Sequence, residues 1–362
     1  MRMTRKAPPH YLLWLNWPIG AFRLDARSLA VFKECAIAAK MAALPVRKNL
    51  TGEAAFQAAA FPATNALTGK AAFQAAAFPA TNALTGKAAF QAAAFPAITV
   101  VRSERAFLKA LPSATHAIVW EFKKEWFPRA KNLRILATPA AGRELLPTDA
   151  EMPPGVVRVN GAFHGAIMSE TVVACLFAHA RGLYRAYDWQ RAGVLWPRSE
   201  LSPFCSLVSG TKAVILGYGK VGRAIGAKLE SLGVSVVGIH RANFADLKPE
   251  LKTADWLIVA LPSDTGTDDL VDASVLRAMK RSAVLVNVGR GNAVDESALA
   301  KALRARRIAA AYLDVFKHEP LTAASSLAAD LPGLVRIPHG SAFAPEYLPL
   351  FFRELQEGGW LA

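Results

Sequence analysis

Gly217, Gly219 and Gly222, in the run GYGKVG, are spaced as in a backbone turn that cradles a pyrophosphate. Gly217 permits the tight turn, Gly219 lets the backbone approach the phosphates, and Gly222 lets a following helix pack on a sheet. Glycines with this spacing serve many turns, so the flanking residues decide. AVIL directly before them is a short buried strand, a helix with apolar spacing runs to about Leu232, and VSVVGI (234–239) forms the next strand. The helix start then offers free N–H groups and its positive dipole end to phosphates. A dinucleotide site is the implied chemistry. At the end of the second strand, eighteen residues past Gly222, stand His240 and Arg241 rather than an acidic acceptor for ribose hydroxyls. Arg241 could pair with a 2′-phosphate through a charge-assisted fork, so NADP is preferred and NAD is possible, with Arg241 then only stacking on adenine.

Such a turn needs whole α/β units to hold it, and 362 residues suffice for two domains. With 53% hydrophobic and 20% charged residues the chain has enough apolar side chains for a sizeable core. YLLWL (11–15), ITVVRS (98–103), HAIVW (116–120) and LRILATPAAG (133–142) read as strands. Helices around Ser28–Met41 and Arg105–Leu111 lie among them, which makes the first part a small open sheet. Apolar residues at helical spacing from Ala166 to about Leu183 predict one long helix, and WPRSELSPFCSL (196–207) predicts a loop. Between 50 and 100 the run LTGxAAFQAAAFPA occurs three times with a period of 17, the first two copies differing only at Glu53 and Lys70. Near-identity at so short a period reads as a tandem duplication inserted at a surface connection, not as a solenoid.

From the turn onward the residues resemble the D-isomer-specific 2-hydroxyacid dehydrogenases. GYGKVG (217–222), ADWLIVALPSDTGTDDLV (254–271), MKRSAVLVNVGRGNAVDESAL (279–299), AAAYLDVFKHEP (309–320) and IPHGSA (337–342) carry the match in order. The resemblance implies a Rossmann-type doubly wound parallel sheet for the cofactor, at 164–340. It implies a smaller flavodoxin-like α/β substrate domain from 1–163 plus 341–362. It also implies interconversion of a small 2-keto acid, such as glyoxylate or hydroxypyruvate, with its D-2-hydroxy acid. By that resemblance Arg290 holds the substrate carboxylate and polarises the keto oxygen, His339 is the general acid/base, and Glu319 is its partner. The chemistry agrees. Imidazole can move a proton both ways near neutrality, a carboxylate partner favours its charged form, and guanidinium presents a permanent planar fork.

The same resemblance places the N–H groups of Lys220 and Val221 at the pyrophosphate and Pro262 near adenine. It places Val288 and Asp314 near the nicotinamide end, with Asp314 accepting from the carboxamide, and counts Gly289, Arg290, His339 and Gly340 among the cofactor-binding residues, with Asn287 within the Arg290 motif. Ala141 and Gly142 are the candidates whose N–H groups bind the substrate carboxylate. After that glycine, where the family carries an acidic residue, this chain has Arg143 and Glu144. Glu170 reads as stabilising its helix start.

The net charge is +15, and residues 1–160 carry 21 Lys and Arg against 9 Asp and Glu. A solvated basic surface ranks first, steering of small anionic substrates second and nucleic-acid binding last, since no zinc-finger or aromatic RNA-binding pattern accompanies the charge. Three cysteines (Cys35, Cys175 and Cys205) without CxxC spacing exclude a disulfide scaffold or a zinc ribbon, imply no metal site, and read as reduced thiols of a cytoplasmic protein. The N-terminal apolar run is cut by Asn16 and Pro18 and does not read as a signal peptide, and no apolar run reaches the roughly 18 residues of a membrane span. A homodimer is expected from the family. The alternatives are formate oxidation, against which Glu319 stands because that relative pairs its His with Gln, and a non-catalytic dinucleotide-sensing corepressor-like protein.

Overall fold

Runs such as HAIV, WLIV and VLVN are mostly apolar and buried at every position, which suits strands covered on both faces. The computed structural model describes residues 9–15, 24–42, 97–142, 144–264 and 266–361, without the side chains of 40–42. The repeat therefore lies outside the described residues except for its last four positions, and Arg143 lies outside them too.

The described residues form two parallel sheets. The first contains β1 (His10–Trp14), β2 (Ala97–Val100), β3 (His116–Val119), β4 (Ile135–Thr138) and β5 (Val157–Asn160) in the order β2-β1-β3-β4-β5. That is the flavodoxin-like order. The second contains β6 (Lys212–Leu216), β7 (Ser235–Ile239), β8 (Trp256–Val259), β9 (Val284–Asn287), β10 (Ala310–Leu313) and β11 (Leu334–Arg336) in the order β11-β10-β9-β8-β6-β7. From β6 the chain goes first to β7 on one side and then crosses to β8 on the other. The crevice beyond the carboxyl ends of β6 and β8 is thus the switch point at which open α/β sheets bind ligands.

Around the sheets lie helices α1 (Ala26–Ala42), α2 (Glu104–Ala110), α3 (His164–Ala180), α4 (Leu183–Arg191), α5 (Arg198–Leu201), α6 (Lys220–Glu230), α7 (Leu247–Leu251), α8 (Ala273–Ala278), α9 (Glu296–Arg304) and α10 (Tyr347–Glu357). Helix α6 buries Gly222, Ile225, Gly226 and Leu229, one stripe at helical spacing, against a core that includes Val172, Cys175 and Leu176 of α3. Helix α10 carries the chain back to the first sheet, where Phe351, Phe352 and Leu355 pack with Phe32, Cys35 and Ala36 of α1. Rings of Phe32 and Phe352 meet at 4.9 Å, and the Tyr11 hydroxyl donates to the Leu361 carbonyl at 2.6 Å.

Two sequence expectations change. The helix foreseen over 166–183 ends at Ala180, because Gly182 adopts a left-handed φ of 61°. The chain turns there by 64° into α4. The segment foreseen as a loop, 196–207, contains α5 and a single tight helical turn at Ser202–Phe204. Among the described residues no single helix is long and apolar enough to cross a membrane.

Candidate active site

The glycine turn sits where β6 ends. Gly217 has φ 99°, and a Cβ there would lie 2.7 Å from the Ala260 carbonyl carbon, so a side chain is excluded by both conformation and space. Gly289 presses on the same strand exit, where a Cβ would stand 2.6 Å from the Leu261 amide nitrogen. Two glycines thus let the turns after β6 and β9 close onto the turn after β8. Beside Gly219 the space is open, and Gly219 caps α6 without any side chain on the helix amides. Lys220 and Val221 are the first residues of that helix. This backbone cradle fits the pyrophosphate of a dinucleotide: donors point into open space at a helix start.

On the rim the ends of β7 and β8 meet. Arg241 is exposed and its Nη2 donates to Asp264 Oδ2 at 3.1 Å. His240 is exposed, with its N–H donated to Asn243 Oδ1 at 2.7 Å, and Pro262 is exposed. Val288 and Gly289 are buried beneath the crevice.

Three adjacent strands carry the candidate acid–base residues. In the register of the sheet, Leu313 of β10 lies beside Asn287 of β9 and Arg336 of β11. Arg290, Asp314 with Glu319, and His339 therefore all follow carboxyl ends of neighbouring strands, which are spaced about 4.8 Å apart in such sheets. Asn287, buried, accepts from the Gly289 amide at 3.0 Å and donates to the Arg290 carbonyl at 3.2 Å, fixing the turn that carries the guanidinium. Arg290 Nη1 donates to the Gly289 carbonyl at 3.0 Å.

His339 Nδ1 and Glu319 Oε2 lie 2.6 Å apart, and Glu319 Oε1 accepts from the Phe316 amide at 2.9 Å. The carboxylate is thus held at both oxygens. His339 itself adopts φ 48°, unusual for a residue with a Cβ. Its neighbours hold that conformation. The His339 amide donates to the Asp314 carbonyl, and the Gly340 and Ser341 amides donate to Asp314 Oδ1 at 2.7 and 3.0 Å. The Ser341 hydroxyl completes the set on Asp314 Oδ2. Burial raises the Asp314 carboxyl above its ordinary value against the pull of these donors. Asp314, foreseen as a carboxamide acceptor, is 1% exposed with both oxygens on the 340–341 backbone and the Ser341 hydroxyl, where it shapes the His339 loop.

Across the crevice the first sheet contributes the turn after β4. Asn160 Nδ2 donates to the Gly142 carbonyl at 2.8 Å and anchors Ala141 and Gly142. Arg290 Nη2 reaches Glu144 Oε1 at 3.4 Å, so the turn and the guanidinium face each other. Sequence reasoning missed a second pair here. His164 Nε2 lies 2.9 Å from the Tyr347 hydroxyl, which also reaches the Pro139 carbonyl at 3.3 Å. Burial and the nearby Arg290 charge push His164 down to about 4, so its ring is neutral. It gave no sequence signal because its partner is 183 residues away. Among the described residues no group of three or more His, Cys, Asp or Glu is placed to hold a metal ion.

Known proteins share this architecture. Residues 173–341 match the family model of the D-isomer specific 2-hydroxyacid dehydrogenase, NAD binding domain. The chain is 31% identical over 237 residues to a glycerate dehydrogenase of Methylorubrum extorquens, covering 62% of this chain and 74% of that one. It is 33% identical over 234 residues to a glyoxylate/hydroxypyruvate reductase B of Pectobacterium carotovorum, covering 60% and 72%. Among solved structures, a D-isomer specific 2-hydroxyacid dehydrogenase family protein from Aeromonas salmonicida superposes with a TM-score of 0.60 at 29% identity, covering 72% of this chain and 87% of the other. Similarity of this extent, over the turn and strand ends just described, makes the chain a member of the D-isomer-specific 2-hydroxyacid dehydrogenase family, NAD(P)-dependent oxidoreductases of small hydroxy and keto acids.

Proposed function

We propose that this enzyme reduces a small 2-keto acid such as glyoxylate or hydroxypyruvate to its D-2-hydroxy acid, with Arg290, Glu319 and His339 as its catalytic set. The observation that carries the reading is the 2.6 Å contact between His339 Nδ1 and Glu319 Oε2 at the end of the strand next but one to that of Arg290. When bound, the dinucleotide supplies the hydride. The chain's own residues do the rest. Arg290, together with the Ala141 and Gly142 amides, holds the substrate carboxylate, and its fork polarises the keto oxygen. Glu319 accepts a hydrogen bond from Nδ1–H of His339, which leaves the proton on Nε2 to be delivered to the developing alkoxide. The reading divides the chain into a cofactor domain at 164–340 and a substrate domain at 1–163 plus 341–362, whose approach would exclude water from the cleft. Oxidation of NADPH and NADH against glyoxylate, hydroxypyruvate, pyruvate and phenylpyruvate tests it. Absence of turnover with any of them would remove it.

NADP is the proposed preference. It rests on Arg241, an exposed cation that Asp264 orients at the edge of the adenosine side. Arg241→Ala is expected to lower the NADPH-to-NADH ratio of kcat/KM about tenfold, near the lower value for one charge-assisted hydrogen bond. A ratio unchanged within twofold would assign the preference elsewhere.

A homodimer is proposed too, formed by the surface of α4 and the segment after it. Leu195, Trp196 and Leu207 are 90%, 84% and 73% exposed, and Leu183 and Tyr187 of α4 are exposed as well. Exposed large apolar side chains of this number within one segment support a contact face. The double variant Leu195→Asp, Trp196→Asp should run as a monomer in size exclusion with light scattering at a concentration where the parent is dimeric.

A further inference from the structure

One of the carboxylate anchors proposed above, Arg290, already meets a carboxylate of the chain itself. Glu144 Oε1 is the atom that meets Arg290 Nη2 at 3.4 Å. The same oxygen lies so close to Gly142 that a Cβ there would overlap it. A single oxygen thus touches Arg290 and crowds Gly142, the two residues assigned to the substrate's carboxylate. We infer that Glu144 is a built-in competitor for the carboxylate subsite, and that it makes the enzyme selective for acids bearing an adjacent carbonyl. The inference rests on the reading of Arg290 and Gly142 as carboxylate anchors.

Two negative oxygens cannot share one edge of a guanidinium without mutual repulsion, so an incoming carboxylate must displace Glu144. Displacement is cheap here. The pair is long, and its side chains are 31% and 61% exposed, so water screens it. Glu144 also lines a cavity of about 310 Å³ with Lys123, Lys124 and Thr148, which leaves room for its side chain to turn away. Arg290 stays in place meanwhile, because Nη1 is tied to the Gly289 carbonyl. A simple carboxylate meets this competition with one group. A 2-keto acid meets it with carboxylate and carbonyl oxygen together, and so is favoured.

The test uses Glu144→Gln, which keeps the size and removes the charge. Calorimetric titration of oxamate into the enzyme saturated with NADP⁺ should show binding tighter by about two- to fivefold, the range for a partly exposed pair. Acetate, with a carboxylate alone, should gain at least as much. KM for glyoxylate should fall by a similar factor, whereas KM for the neutral ester methyl pyruvate should not. Oxamate binding that is unchanged or weaker in Glu144→Gln, while Arg290→Ala abolishes it, would overturn the competitor role alone. Oxamate binding that survives Arg290→Ala would overturn the anchor reading, and this inference with it.

Discussion

Exchange of His339 for Asn is expected to lower kcat for keto-acid reduction by about 10³-fold while the dinucleotide still binds. A positioned acid–base group contributes roughly 10² to 10⁴ in rate. The upper half of that range applies because His339 is held in its unusual backbone conformation by Asp314 and oriented by Glu319 at 2.6 Å. Asn keeps a left-handed φ more readily than most residues, so the loop should survive the exchange and the loss should report the proton step. Glu319→Gln is expected to cost less, about 10²-fold, since the imidazole remains but its tautomer is no longer set by a carboxylate. The check is steady-state kinetics of both variants, with dinucleotide binding followed by quenching of protein fluorescence. A His339→Asn enzyme within tenfold of the parent would remove His339 as the acid–base group.

The cofactor sheet was legible in the sequence because its signals are local. GYGKVG, the apolar strands around it and the order of the later motifs lie within about 130 residues, and most of the strands read as largely apolar runs. Arg290, Glu319 and His339 were named from motifs that are equally local, by their resemblance to the family. What the sequence hid depends on contacts between distant segments. The His164–Tyr347 pair joins the start of α3 to α10, and neither residue sits in a pattern that marks it. Asp314 was named as a carboxamide acceptor, but its hold on the His339 loop was out of reach. Its donors at Gly340 and Ser341 come from the next strand's exit, and no spacing within LDVF reveals them. Glu144 stood two residues from a named glycine, yet only the approach of the two sheets shows that it meets Arg290. The end of the long helix was misjudged for a local reason: Gly182 takes a positive φ that apolar periodicity cannot see.

Arg290→Ala is expected to lower kcat/KM for a 2-keto acid by about 10²- to 10³-fold, through both constants. Removing one partner of a hydrogen-bonded charge pair costs about 2 to 5 kcal/mol, and each 1.4 kcal/mol is tenfold in rate or affinity. The guanidinium here is only 31% exposed, and its turn is fixed by Asn287 on both sides, so the fork is preorganised and no other cation in the turn replaces it. Loss of the carboxylate contact alone would raise KM and spare kcat. Loss of the contact to the keto oxygen, which strengthens as negative charge develops there, lowers kcat as well. Arg290→Lys separates the two. It restores the charge without the planar fork, so affinity should return in part while kcat stays low. Steady-state kinetics of both variants with glyoxylate reads the split. If Lys restores kcat along with KM, Arg290 acts as a point charge for the carboxylate, and polarisation of the carbonyl belongs to His339 alone.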